Sequence, residues 1–507
     1  MEARFSPGVL GHPGLLASTR AGWPAAPLRW PTVSSLDAVV VGSGPNGLAA
    51  ALTIARSGRA VEVYEGAPTP GGGCRTEELT LPGFLHDVCS AVHPLVLASP
   101  FFQSVDLAAR GVKMLTPPVA FAHPLDGGRA GAILGSADDT AAGLGADARA
   151  YRRLFAPLAR DVDRVLPTVL APLRGPPRHP LAMARLGLPG LLPVTSLARR
   201  FGTDEARGLL AGAAAHSMLP LSTPLTASYG MLFVALAHAY GWPVVEGGSG
   251  RVIDALVAEL GALGAKVETG RWVKHLADLP EAGAVLLDIS PRHLAGLAEE
   301  RLSTSYRAAI GRFRYGPGVC KVDWALSGPV PWEAPVCRQA GTVHVGGTLE
   351  EVATSEAEVA AGRHPERPFC LVAQPGVVDP GRAPDGKHTL WAYCHVPSGS
   401  SIDMTERIEA QIERFAPGFR DLVLARATRT AAQTERSNPN YVGGDITGGM
   451  ATLRQTVFRP TVRWDNYKTS SPGLYLCSAS TPPGGGVHGM CGYWAARSAL
   501  AERRGAG

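Results

Sequence analysis

The chain has 507 residues, 45% of them hydrophobic and 18% charged, with a net charge of +5 at pH 7. That composition is globular, long enough for more than one folding unit and a large core, and not that of a disordered chain. So small a net charge, with basic residues spread along the length, gives no case for a nucleic acid partner.

Residues 1–35 carry arginines and five prolines, and after Glu2 no acid until Asp37. They lack the continuous apolar core of a secretory signal, and the prolines spoil an amphipathic transit helix. We expect a disordered extension or a start codon placed too early. No run of 18 apolar residues follows, so no spanning helix is expected. Eight cysteines form no CxxC pair, and fourteen histidines form no HExxH cluster. Free thiols in a reducing bacterial cytoplasm are expected, without a metal site or a dithiol–disulfide centre.

The first strong pattern is "DAVVVGSGPNGLAAALTIARSGRAVEVYEGAP". An apolar run suited to a buried parallel strand feeds Gly42, Gly44 and Gly47 in GxGxxG spacing, then a helix over 48–57. A second strand ends at Glu65. Gly42 permits the tight turn, Gly44 lets backbone approach a pyrophosphate, and Gly47 lets helix pack on strand. Pro45 and Asn46 open the helix, whose free amides face the phosphates. Glu65 is placed to accept hydrogen bonds from a ribose, which speaks against a 2′-phosphate. No second strand–GxGxxG–helix unit occurs, so a dedicated NAD(P)H domain is not expected.

The next segment, "APTPGGGCRTEELTLPGFLHDVCSAVHPL", has a second glycine cluster. Here the chain resembles the flavoprotein group that includes phytoene desaturases and amine oxidases, which carry a GG-R-x-x-T-like stretch beside FAD. Gly71, Gly72, Arg75 and Thr76 match it; the arginine position is Gly73, which makes Arg75 the substitute candidate. In 244–276, "VVEGGSGRVIDALVAELGALGAKVETGRWVKHL" is similar to the group's adenine-side segment and puts Val273 there. Near the C-terminus, "GLYLCSASTPPGGGVHG" resembles the desaturase pattern "LYLVGA…HPGGGVPG". The resemblance implies that Ser478, Ala479, Gly485, Gly486 and Val487 lie at the flavin, where a helix dipole would favour negative charge on the reduced ring. Three glycine segments would thus grip one FAD.

The implied fold is α/β: a Rossmann-like FAD-binding domain of the glutathione reductase type, with a parallel sheet, and a discontinuous α+β substrate domain. The first would comprise 36–110 with 236–300 and 436–507, the second 111–235 with 301–435. Within the group, "HDVCSAVHPLVLASPFF" and "NPNYVGGDITGG" look like the desaturase-related oxidoreductases of the pyridine nucleotide-disulfide oxidoreductase domain-containing type. The expected activity is hydride removal from an apolar, unsaturated or isoprenoid-like small molecule, with oxygen, a quinone or a redox partner as electron acceptor. A flavin amine oxidase, a non-redox flavin isomerase and a flavin-stabilised assembly protein without turnover are the alternatives. Amine oxidases carry a "GE" where this chain has Ser478 and Ala479.

The desaturase "HPG" histidine is Pro482 here, and the proline after "GGGV" is His488. His488, expected at the start of the last helix beside the flavin, is a candidate proton-transfer group; a helix-start hydrogen bond is the alternative. Asp445, in a glycine-rich turn brought to the site by the resemblance, is the second catalytic candidate; an ordinary turn acid is its alternative. Residues 165–203 hold five arginines and no acid among leucines and prolines. They could rest on anionic lipid as a peripheral contact, or form a lid whose leucines face the core.

Overall fold

The computed structural model describes residues 36–504, which belong to one compact unit; the expectation for residues 1–35 lies outside them. Its first layer is a five-stranded, wholly parallel sheet in the order 474–476, Ala282–Leu287, Leu36–Val41, Val61–Tyr64, Lys266–Glu268. The apolar run that begins the pattern is its central strand, with Val39 and Val40 fully buried. Such a sheet needs cover on both faces, and helices Pro45–Ala55, Gly250–Ala262 and Met490–Arg504 pack on one of them. The strands come from widely separated parts of the chain. The sheet closes only after the chain has left at Tyr64, returned at Lys266, left again at Leu287 and returned at Leu474.

The second layer is a seven-stranded mixed sheet, ordered 423–429, 318–326, 388–396, 370–373, 340–345, 119–125, 129–133. All its pairs are antiparallel except 340–345 with 119–125. Strand Gly318–Leu326 is buried at every position. Period-two alternation sends Cys320, Val322 and Trp324 into one apolar cluster and Lys321 and Asp323 to the other face, where the two pair. Helices Ala148–Val169, Pro180–Gly190, Asp204–Ala215 and Thr226–Tyr240 form a packed helical layer. One apolar cluster runs from helix Pro45–Ala55 through this layer, so the Rossmann unit and the helices share a core.

A buried ion network stitches the segments together. Arg382, 0% exposed, donates to Asp379 at 2.7 Å, to Asp87 at 3.0 Å and to the Val245 carbonyl at 3.0 Å. Asp87 also accepts from Thr76 Oγ1 at 2.9 Å and from the Ser249 amide at 2.8 Å, and Asp379 accepts from the Gly247 amide at 2.8 Å. Both carboxylates depend on one guanidinium, so Arg382→Met strands two buried charges. It should lower unfolding free energy by about 3–5 kcal/mol in a urea titration. A loss below about 1 kcal/mol would show that the network is not what joins these loops.

Candidate active site

The turn after the central strand is held from below. Asp288, at the end of strand Ala282–Leu287, accepts the Gly47 amide through Oδ2 at 2.9 Å. A Cβ on Gly42 would lie 2.8 Å from the Asp288 carbonyl oxygen, and one on Gly44 2.7 Å from Oδ2. A Cβ on Gly47 would lie 2.0 Å from the Gly42 carbonyl oxygen. With Gly42 at φ +96°, these positions accept no side chain. The helix starts at Pro45, three residues earlier than the pattern predicts, because proline needs no amide partner at a helix's first position. Glu65 follows the second strand directly and accepts from the Ser43 amide at 2.8 Å, from Ser43 Oγ at 2.6 Å and from the Ala67 amide at 2.8 Å.

These groups open onto a cavity of about 1010 Å³. Its wall includes Gly42, Gly44, Pro45, Asn46 and Glu65 from the first loop and Gly72 and Arg75 from the second. Val273, Ser478, Ala479, Gly485, Gly486 and Val487 complete the predicted contributors. Segments more than four hundred residues apart thus meet at one hollow. Gly47, Gly71 and Thr76 stand behind the wall. Gly71 donates its amide to the Ser43 carbonyl at 3.0 Å, and Thr76 Oγ1 accepts from the Gly250 amide at 3.1 Å. Val273 lies in the irregular stretch after strand Lys266–Glu268, not in the strand itself.

The two catalytic candidates do not reach the cavity. His488 is 1% exposed and has both ring nitrogens engaged: Nδ1 accepts from the Met490 amide at 3.0 Å, and Nε2 faces the Gly484 carbonyl at 3.1 Å. Burial holds this imidazole neutral, with its pKa lowered to about 4, so it caps the last helix and directs its Nε2 proton at the Gly484 carbonyl. That helix starts at Met490; Gly484–Gly486 form a loop ahead of it. Asp445, 0% exposed, accepts from the Gly316 amide at 2.7 Å and from the Thr447 amide and hydroxyl at 2.8 and 2.6 Å. It shapes the turn whose following residues, Ile446 to Gly449, line the wall.

The departure at Gly73 has a steric cause. A Cβ there would sit 1.8 Å from the hydroxyl of Tyr441, so a tyrosine from the "NPNYVGG" motif fills the space of the expected arginine. Reading the sequence singled out that motif without seeing its contact. It missed Asp288 altogether, although this acid directly follows a strand as Glu65 does. It also missed Arg459, which local pattern could not place.

The wall has two characters. Near the glycine loops it is polar, with Glu65, Asp288, Arg75 and Arg271. At the far end Met218, Phe233, Trp242, Leu371, Trp391 and Tyr393 make it apolar and aromatic. Trp391 and Tyr393 stack at 17° with centroids 5.8 Å apart. Buried polar atoms on wall residues that have no hydrogen-bond partner among the described residues include Asn46 Oδ1, His93 Nδ1, Ser217 Oγ, Trp391 Nε1 and Arg459 Nε. Buried polar groups are rarely left unmatched, so a ligand with polar atoms along its length suits this wall.

Burial, then the nearby Glu65 charge, pushes the Asp288 carboxyl up to about 7 against the Gly47 amide, which favours its ionised form. An acid whose folded-state pKa is raised contributes stability that is full below its unfolded pKa and is lost as pH rises through the folded one. The ligand-free protein should therefore lose denaturation free energy between about pH 4 and pH 7 from this group, and Asp288→Asn should flatten that part of the profile. An unchanged profile in the variant would remove Asp288 from the account.

Residues 40–101 match the family described as NAD(P)-binding Rossmann-like domain. Over 543 aligned residues the chain is 26% identical to the rat pyridine nucleotide-disulfide oxidoreductase domain-containing protein 2, covering 90% of this chain and 92% of that one. Over 130 residues it is 31% identical to 4,4'-diapolycopen-4-al dehydrogenase of Metabacillus indicus, covering 24% and 26% of the two chains. A solved structure of putrescine oxidase shares the fold, with a TM-score of 0.58 at 16% identity over 92% of this chain and 99% of that one. With the Rossmann turn and the discontinuous sheet, this full-length likeness identifies the chain as an oxidoreductase similar to the pyridine nucleotide-disulfide oxidoreductase domain-containing proteins, with a fold shared with putrescine oxidase.

Proposed function

We propose that the cavity holds FAD along its polar half and an apolar, unsaturated substrate against its aromatic end, and that the enzyme removes hydride from that substrate. The observation that carries this reading is the distribution of charge on the wall. Glu65 and Asp288 are its only carboxylates among the described residues, and both belong to the glycine-loop end. At the aromatic end an ammonium substrate would meet the cation Arg459 and no acid, which favours a hydrocarbon over an amine. The volume, about 1010 Å³, lies at the upper end of ordinary ligand pockets, which span about 300–1,000 Å³.

The fit to FAD rests on this chain's groups. Backbone at Gly42 and Gly44 and the Asn46 amide at the start of helix Pro45–Ala55 would hold the pyrophosphate. The Glu65 carboxylate would accept from a ribose in exchange for part of its hold on Ser43. When bound, FAD supplies a hydride acceptor. Arg459 is 4% exposed, and its Nη2 donates to the Gly448 carbonyl at 2.9 Å. Burial lowers its pKa, yet guanidinium stays charged, so it would set a cation beside the Gly484 turn that favours an electron-rich ligand there. Trp391, Tyr393 and Phe233 would orient the substrate and keep water from it. The aromatic end of the wall offers no carboxylate, which suits hydride loss more than proton abstraction.

Anaerobic mixing with an apolar polyene should bleach the flavin's visible band, and an electron acceptor should restore it. A flavin that neither photoreduces nor reoxidises would instead point to a structural role. Glu65→Ala should weaken FAD binding about tenfold or more in an equilibrium titration, the effect of losing a charge-assisted hydrogen bond. Unchanged affinity would mean that the dinucleotide lies elsewhere.

A further inference from the structure

Thirteen large hydrophobic side chains are exposed among the described residues, and nine of them fall in two short stretches. Leu173, Leu181, Leu188, Leu191 and Leu192 form the first, and Leu453, Phe458, Val462 and Trp464 the second. Helix Pro180–Gly190 explains the first set. Its Ala182, Leu186 and Gly190 pack inward, while Leu181 and Leu188, seven residues apart on one face, are 77% and 70% exposed. The segment 165–203 thus divides between the two readings of its sequence: four of its leucines are buried and five are exposed. The second stretch ends on Trp464, 77% exposed. Asp465, the next residue, pairs with Arg174 at 3.0 Å, which sets Leu173 and Trp464 on either side of one ion pair.

The same two stretches are cationic. Arg178, Arg185, Arg199, Arg200, Arg454 and Arg463 are exposed, and neither 165–203 nor 453–464 contains an acid. The acids that face this region, Asp161 and Asp465, are already bonded to Arg185 and Arg174. Behind the face lies the apolar end of the cavity. Helix Pro180–Gly190 packs on helix Thr226–Tyr240, which supplies Tyr229 and Phe233 to the wall, and the second stretch is continuous with Ala451 and Arg459.

We propose that this face docks on the surface of an anionic lipid membrane, with the leucines and Trp464 entering the headgroup boundary and the arginines meeting phosphate. A second copy of the chain fits less well, because a two-fold contact would set the arginines of one copy against those of the other. No single described helix is long and apolar enough to cross a bilayer; Pro180–Gly190 and Val194–Arg200 reach that length only together, across a 98° bend, which suits a segment lying at the membrane surface. The surface stands whatever reaction the cavity performs, and its test reads no turnover.

The test is co-sedimentation of the full chain with sucrose-loaded vesicles of phosphatidylcholine, with and without phosphatidylglycerol, at low and high salt. The protein should pellet with the phosphatidylglycerol vesicles at low salt and be released as salt screens the arginines. Leu188→Asp with Trp464→Asp should reduce partitioning about tenfold or more without lowering Tm, since both side chains are exposed. Arg178→Glu with Arg199→Glu should weaken binding only to the anionic vesicles. No pelleting at low salt, or equal pelleting of all variants, would overturn the proposal. So would a stable dimer in sedimentation velocity that the leucine and tryptophan substitutions dissociate without lipid.

Discussion

The Asp288 carboxyl sits beneath the glycine turn and takes the Gly47 amide at 2.9 Å, and the cavity's polar half is built around that contact. It joins the strand that ends at Leu287 to the helix that begins at Pro45, although 241 residues separate the partners. Because its oxygens and the Gly42 carbonyl fill the space below, the three glycine positions of the turn can carry no side chains. Glu65 fastens the turn from the side through Ser43. A phosphate-cradling loop is usually read as glycine freedom; here the glycines are equally a demand of what lies underneath.

Closing this site draws on both ends of the described residues. The last helix crosses helix Pro45–Ala55 so closely that a Cβ on Gly492 would lie 1.7 Å from the Asn46 carbonyl oxygen. The edge strand 474–476 that precedes it completes the parallel sheet. The loop between them brings Ser478 and Gly485–Val487 to the wall. The Arg382 network does the same for the second glycine cluster, holding Thr76 and Ser249 through Asp87. A site assembled from such distant segments gains its rigidity from the core they share, since each loop is anchored at both ends.

Local chemistry made much of this legible. The order strand, GxGxxG, helix, strand, acid requires only neighbouring residues, and it appears at the predicted positions with the helix start moved to Pro45. Where long-range packing decides, sequence failed. His488 and Asp445 are acid–base residue types beside glycines, as a catalytic group could be. Whether an imidazole faces a ligand or a carbonyl depends on partners such as Gly484 and Met490, whose geometry no spacing rule contains. Gly73 likewise looked like a lost arginine until Tyr441 was seen to occupy its space. The buried Lys321–Asp323 pair reads as ordinary strand alternation until a neighbouring strand places Trp391 over it.

The claim that ties these parts together is that the glycine segments grip one cofactor. The most direct measurement is to purify the protein without added flavin, denature it, and identify and count what is released by chromatography with absorbance. The account predicts FAD at close to one equivalent per chain. A folded protein that is empty and takes up no added FAD would contradict it.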